Sequence, residues 1–277
     1  MTQHQSQRNL AWLVSVLSPR KEDPYENLEP GYEGVGEFFD RFADSSDLPF
    51  YIRFAERCGS PILDLAAGTG RVTFALAQEG HEVVALEQSE SMLSIARRRR
   101  QTSPQVVSDK ITLAKGSMLN FSLDRKFPLV IIPTSFGHAL TREDQLSTLR
   151  CVHEHLSDEG LFIIDIFPGE MQYEHATFED DSVHLEDGCT VTRNGEIRSD
   201  PGKKLMRMDL QYTVRDSEGK IIKQVEVVSG AALIFNNDVD HIVQESGFEV
   251  VEEFGDFESG PYTSESGRRI IVLRKGD

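Results

Sequence analysis

Apolar positions along the chain follow two patterns. Between residues 61 and 167, short apolar runs at 61–66, 82–86, 111–114, 128–133 and 160–167 have the length and β-branched content of buried strands. Stretches 70–79, 89–100 and 142–156 lie between them and repeat their apolar residues at helical spacing. Such alternation predicts a parallel sheet with helices on both faces. From about 183 to 235 the pattern changes. Runs at 186–198, 204–215 and 221–235 are separated by the turn-forming clusters Asp200-Pro201-Gly202 and Asp216–Gly219, which predicts an antiparallel insertion. A helix (236–246), Gly247, a strand (248–254) and a last strand (269–274) bring the chain back to the first sheet. Upstream, the apolar run Leu10–Leu17 reads as a short amphipathic helix, Lys21–Pro30 as a loop, and Glu37–Ala43 and Leu48–Cys58 as helices. These two helices would bury Phe38, Phe39 and Phe42, then Phe50, Ile52 and Phe54. The expected divisions are an N-terminal segment (1–60), a core (61–182), an insertion (183–235) and a return to the core (236–277).

The first junction carries the most chemistry. Pro61-Ile-Leu-Asp-Leu-Ala-Ala-Gly-Thr-Gly-Arg71 is an apolar strand with an acid, Asp64, followed by a small-residue loop and a helix start. That geometry brings backbone close to a nucleotide-like ligand. A dinucleotide loop has a third glycine for close helix packing, and here Val72 and Thr73 follow instead. Asp64 would repel a diphosphate and attract an ammonium group.

Composition narrows the partners. The net charge of -17 disfavours a phosphate backbone, so nucleic acid is not expected. Arg97–Arg100 is the exception, and it falls where a helix should end and cations complement the helix dipole. Three cysteines, far apart and odd in number, argue against a disulfide framework and fit a cytoplasmic protein. Leu10–Leu17 is too short to span a bilayer, so no membrane partner is expected.

Asp64, Ala66, Ala67, Gly68, Thr69 and Gly70, with Glu87 ending the second strand, resemble the class I S-adenosylmethionine-dependent methyltransferases. The resemblance covers 61–167 well and extends to the tail, 236–275. It implies an α/β fold: a Rossmann-like seven-stranded mixed sheet, last strand antiparallel, with helices on both faces. An N-terminal helical lid and the antiparallel β insertion would wall off an acceptor pocket. It further implies S-adenosylmethionine as cofactor, with Glu87 holding the ribose hydroxyls. Met92 would flank the adenine, and the cofactor site would also take in Gln88, then Gly116, Ser117 and Met118 after the third strand, with Pro133 ending the fourth. Many members carry an acid where Ser117 stands, and a hydroxyl accepts the adenine amino group more weakly. Tyr32 is placed where relatives close a tyrosine over the cofactor.

His138, after the fourth strand, is the candidate general base, since imidazole titrates near neutrality. Tyr51, Phe136, Phe167 and Tyr173 are candidate pocket walls. The acceptor is a small molecule methylated on nitrogen or oxygen, and alignment supplies most of the acceleration. No metal is expected: His153 and His155 point to different helix faces. The N-terminal helix and the insertion offer surfaces for a homodimer. Two competing readings are a nicotinamide-dependent oxidoreductase, disfavoured by the missing glycine, and a cofactor-binding protein without transfer activity.

Overall fold

The computed structural model describes residues 23–185 and 187–276, apart from the side chain of Met171. The expected helix at Leu10–Leu17 lies outside the described residues. In chain order the elements are α1 (Gly36–Phe39), α2 (Leu48–Cys58), β1 (Ile62–Leu65), α3 (Arg71–Gln78), β2 (Val83–Glu87), α4 (Glu90–Thr102), α5 (Gln105–Ser108), β3 (Ile111–Lys115), β4 (Phe127–Ile132), α6 (Arg142–His155) and β5 (Leu156–Ile166). The second half holds β6 (His175–Glu179), β7 (Val183–His184), β8 (Thr190–Asp200), β9 (Leu205–Arg215), β10 (Ile221–Ala232), α7 (Asn236–Glu245), β11 (Phe248–Phe254) and β12 (Arg269–Lys275).

The main sheet has seven strands in the order β11-β12-β5-β4-β1-β2-β3. β1, β2, β3, β4 and β5 run parallel, and β12 is antiparallel to both β5 and β11. Strand order reverses between β1 and β4, so a crevice opens beyond their carboxyl ends. Alternation along each strand builds two cores. Leu63, Leu65, Val130, Ile132, Phe162 and Ile164 pack under α6 and α7. Ile62, Leu129, Ile131 and Ile163 pack under α2 and α3 through Phe50, Tyr51, Val72 and Leu76. A capping box closes the start of α6: Thr141 and Asp144 each accept the other's backbone N–H. On α6, buried His155 accepts a hydrogen bond from the Leu123 N–H and bonds the Cys151 carbonyl through its other ring nitrogen. His153 instead packs edge-on against Phe248. Both histidines are structural here.

The second sheet, β10-β9-β8-β6 with β7 paired to β8, is antiparallel. It takes in 175–179, ahead of the expected start at 183. β6 is exposed on one face and turns only Ala176 and Phe178 inward, too few apolar positions for a strand signal. Other boundaries shift as well. The helix expected over 37–43 is α1 followed by a 3-10 turn, Asp40–Phe42. The fifth strand begins at 156 rather than 160, and α5 was not anticipated. Val35, Phe38 and Met92 pack against Val191, Leu210 and Tyr212, which ties the N-terminal segment and α4 to the second sheet. Among the described residues, no helix is long and apolar enough to cross a membrane.

Phe162, fully buried at the centre of β5 and in contact with Phe248, tests this core. Phe162→Ala should lower the unfolding free energy by about 3–5 kcal/mol in urea denaturation. A loss under ~1 kcal/mol would mean that the core does not depend on this ring.

Candidate active site

The β1–α3 loop is folded back at three positive-φ positions, Ala66 (53°), Gly68 (60°) and Gly70 (85°). A side chain on an alanine makes this conformation costly, and such strain persists where the surroundings over-determine it. Here they do. The Ala67 N–H donates to the Leu86 carbonyl at 3.1 Å, and the Gly70 N–H to the Ala67 carbonyl at 2.9 Å. Gly70 is buried as the N-cap of α3, and a Cβ there would lie 2.9 Å from the Phe74 ring. At Gly68 nothing lies within 4 Å of an added Cβ, so the loop leaves open space beside its backbone.

Glu87 ends β2 and is buried. One carboxylate oxygen accepts the Gly68 N–H at 2.8 Å and the other the Ser89 N–H at 2.7 Å. Each oxygen keeps a lone pair, the chemistry needed for a vicinal diol. Burial raises the Glu87 pKa against these bonds. Asp64, on β1, is 1% exposed. Its Oδ2 accepts from Thr73 Oγ1 at 2.6 Å, while its Oδ1 is buried without a hydrogen-bond partner among the described residues. Burial pushes its pKa up to about 7, although the Thr73 hydrogen bond and Arg71 oppose the shift.

These groups surround a cavity of about 430 Å³. Its lining includes Tyr32, Asp64, Ala66, Ala67, Gly68, Thr69, Glu87, Gln88, Met92, Gly116, Ser117, Met118, Pro133 and His138. Of the expected site residues, Gly70 stands just behind it, shaping the loop. Ser117 Oγ already accepts the Leu119 N–H at 3.2 Å, leaving one lone pair for another donor. Tyr32 is half-buried, stacks near Phe39 and meets the His138 ring edge-on at 5.6 Å. Burial pushes its pKa up to about 12. Burial alone lowers the pKa of His138 to about 4, and its ring nitrogens bond no other described residue.

The four expected wall residues do not line the cavity. Tyr51 and Phe136 are fully buried in the two cores, Tyr51 on the sheet-facing side of α2 and Phe136 at the start of the 3-10 turn Phe136–His138. Tyr173 is exposed to solvent. Phe167 is half-exposed and stacks on Arg268, which does line the cavity. Residues that sequence reasoning missed include Asp40, Asp47, Arg71, Phe257 and Arg268. Asp40 accepts the Thr69 hydroxyl hydrogen bond, and Asp47 holds Arg71 through both guanidinium tips. No motif marks them, because their partners lie far along the chain.

The cavity fits S-adenosylmethionine on three counts: an unpartnered buried carboxylate oxygen for an ammonium, an anchored carboxylate for the ribose diol, and open space over a glycine backbone. Among the described residues, no group of three or more His, Cys, Asp or Glu side chains could hold a metal ion.

The fold and this cavity together define a cofactor-dependent group transferase on a Rossmann-like sheet. The family model of the methyltransferase domain matches residues 62–160. The dTDP-3-amino-3,4,6-trideoxy-alpha-D-glucopyranose N,N-dimethyltransferase of Streptomyces venezuelae is 30% identical over 249 residues, 87% of this chain and 93% of that protein. The chain belongs to the class I S-adenosylmethionine-dependent methyltransferases. Two solved structures share the fold. The CcbJ methyltransferase from Streptomyces caelestis has a TM-score of 0.73 at 21% identity, over 88% of this chain and 96% of that one. A SAM-bound amino pentose methyltransferase from Micromonospora echinaspora has a TM-score of 0.66 at 22% identity, over 89% and 99%.

Two predictions follow from the loop and from Asp64. Gly68→Val should fold, with a strain cost of about 1–2 kcal/mol, yet lose cofactor binding in isothermal titration. Normal binding would refute the loop assignment. Without cofactor, Asp64 is protonated below about pH 7, and a neighbouring ammonium favours its ionised form. Affinity for S-adenosylmethionine should therefore fall roughly tenfold per pH unit below that value, and Asp64→Asn should flatten the dependence. The stability sign is opposite. The raised folded pKa contributes stability at low pH that is lost as pH rises through 7, so Asp64→Asn should raise Tm more at pH 8 than at pH 5. An equal Tm change at both pH values would mean that Asp64 titrates as an ordinary carboxylate.

Proposed function

We propose that this enzyme transfers methyl groups to the amino nitrogen of a small amino sugar. The observation that carries the reading is the charge of the cavity wall. Glu33, Asp40, Asp44, Asp47, Asp64 and Glu87 face two guanidiniums, Arg71 and Arg268, each already paired with an aspartate. Such a wall attracts cationic amines and repels phosphates and carboxylates. The amino-sugar substrate in the Streptomyces venezuelae relative's name and the amino pentose of the Micromonospora structure support the same acceptor class. If the sugar arrives on a nucleotide, its diphosphate would remain outside this acidic cavity.

When bound, S-adenosylmethionine supplies an activated methyl group. The chain's task is to present an unprotonated nitrogen in line with it. His138 is suited to hold that nitrogen rather than to strip a proton from it. The ammonium of an amino sugar, flanked by electron-withdrawing oxygens, has a pKa near that of an α-amino group, about 8, and His138 is held at about 4. Proton transfer to His138 would climb about four pKa units, or ~5 kcal/mol. A neutral imidazole accepting a hydrogen bond from an amine N–H turns the lone pair toward the methyl group at no such cost. A hydroxyl acceptor would need a stronger base, which disfavours O-methylation here.

The test is S-adenosylhomocysteine release with a panel of nucleotide-linked amino-deoxy sugars, free amino sugars, amino acids and hydroxylated analogues. Turnover confined to hydroxylated acceptors would sink the proposal. With an active amine in hand, kcat/KM should rise with pH up to the amine's own pKa. His138→Asn should lower kcat by roughly 10–100-fold without moving that limb or the cofactor Kd. An unchanged kcat would remove His138 from the site.

A further inference from the structure

The acidic wall poses a problem for the cofactor. S-adenosylmethionine carries a sulfonium and an ammonium, which the wall favours, and an α-carboxylate, which it repels. A cation in the wall would offset that repulsion. Arg71 already commits its end-on fork to Asp47, the N-cap residue of α2, whose side chain is 5% exposed.

Arg268 is different. It lies in the segment before β12 and crosses the end of β5 to line the cavity. Its guanidinium is sandwiched between Phe167 and Phe257, 4.2 and 4.6 Å from the two ring centroids. One terminal nitrogen, Nη1, donates to both Asp165 oxygens within 2.6 Å. Asp165 is fully buried and also accepts the Thr134 hydroxyl hydrogen bond at 2.9 Å, from a residue at φ 54°. Nη2 and Nε bond no described residue, and the side chain is 21% exposed. The group is rigid, planar and always charged, with a free donor edge, the combination that carboxylate recognition requires. The buried Tyr51 hydroxyl has no partner among the described residues, and its pKa is raised by burial first and then by the charges of Asp165 and Asp47. Asp64 and Arg268 both line the cavity.

We infer that the cavity holds the amino-acid end of S-adenosylmethionine between these two residues, with Arg268 receiving the α-carboxylate and Asp64 the ammonium. The Phe167–Phe257 clamp and Asp165 then act as positioning groups for Arg268. The inference rests on the cofactor assignment and adds a residue that neither the glycine loop nor the β2 acid predicts.

The test compares S-adenosylmethionine with its decarboxylated analogue by isothermal titration on the full chain. Wild type should bind the intact cofactor at least tenfold more tightly, and R268Q should erase that preference while binding the decarboxylated analogue as wild type does. Because R268Q leaves Asp165 buried and unpaired, D165N/R268Q serves as a second variant without the orphaned charge, and the same loss is expected. If both variants bind the intact cofactor as tightly as wild type, Arg268 does not hold the carboxylate. A raised acceptor KM in that case would transfer its role to an anionic group of the acceptor. If wild type itself binds neither sulfur ligand, the cofactor assignment falls and this inference falls with it.

Discussion

Two hydrogen bonds from one carboxylate fix the geometry of the site. Glu87 ends β2, yet its oxygens reach back to the Gly68 N–H in the β1 loop and forward to the Ser89 N–H at the start of α4. Charge-assisted bonds of this kind are roughly twice as strong as neutral ones. They tie the β1 loop, the end of β2 and the start of α4 to one point, above the place where strand order reverses. The positive-φ backbone at Ala66 and Gly68 is tolerable because these bonds and the Leu86 carbonyl hold it. Losing the carboxylate would remove the acceptor that both the loop N–H and the helix-start N–H use.

The second sheet acts on the site indirectly. None of its residues lines the cavity, but Val191, Leu210, Tyr212 and Val214 give Val35 and Phe38 a surface to bury against. Phe38 stacks on Tyr212 at 5.9 Å, and Arg193 lies over Phe42 at 4.9 Å. That packing holds Tyr32, Glu33 and Asp40 over the cofactor loop, where Glu33 accepts from Ser89 and Ser91 and Asp40 from Thr69. The N-terminal segment therefore divides. Residues 30–47 roof the cavity, whereas α2 is part of the main core, with Phe50, Tyr51, Phe54 and Ala55 buried.

What could be read in the sequence, and what could not, follows from range. The β1 loop, Glu87 and the alternation of strands and helices depend on neighbours a few residues apart, so pattern alone reveals them. Tyr51 shows the limit. Its residue type suits a pocket wall, but on α2 it follows Phe50 into the same buried face, and the helical period decides its place. Asp47, Asp165 and Arg268 are the converse. Each has an ordinary local context, and their role comes from pairing across 24 residues in one case and 103 in the other. Such pairs leave no periodic trace.

Charge burial links these features to function. Buried carboxylates at Asp64 and Asp165, both with raised pKa values, and the unpartnered Tyr51 hydroxyl are costly in the free protein. Asp165 is compensated by Arg268 and Thr134; Asp64 is only half compensated by Thr73. Asp64 lines the cavity. A ligand ammonium placed there would stabilise a charge that folding has already desolvated, so that part of the cost is met before binding. The same acidity that destabilises the empty site therefore favours a cationic cofactor and a basic acceptor together. Asp165 and the two rings hold the Arg268 guanidinium in place, away from the other carboxylates of the cavity wall.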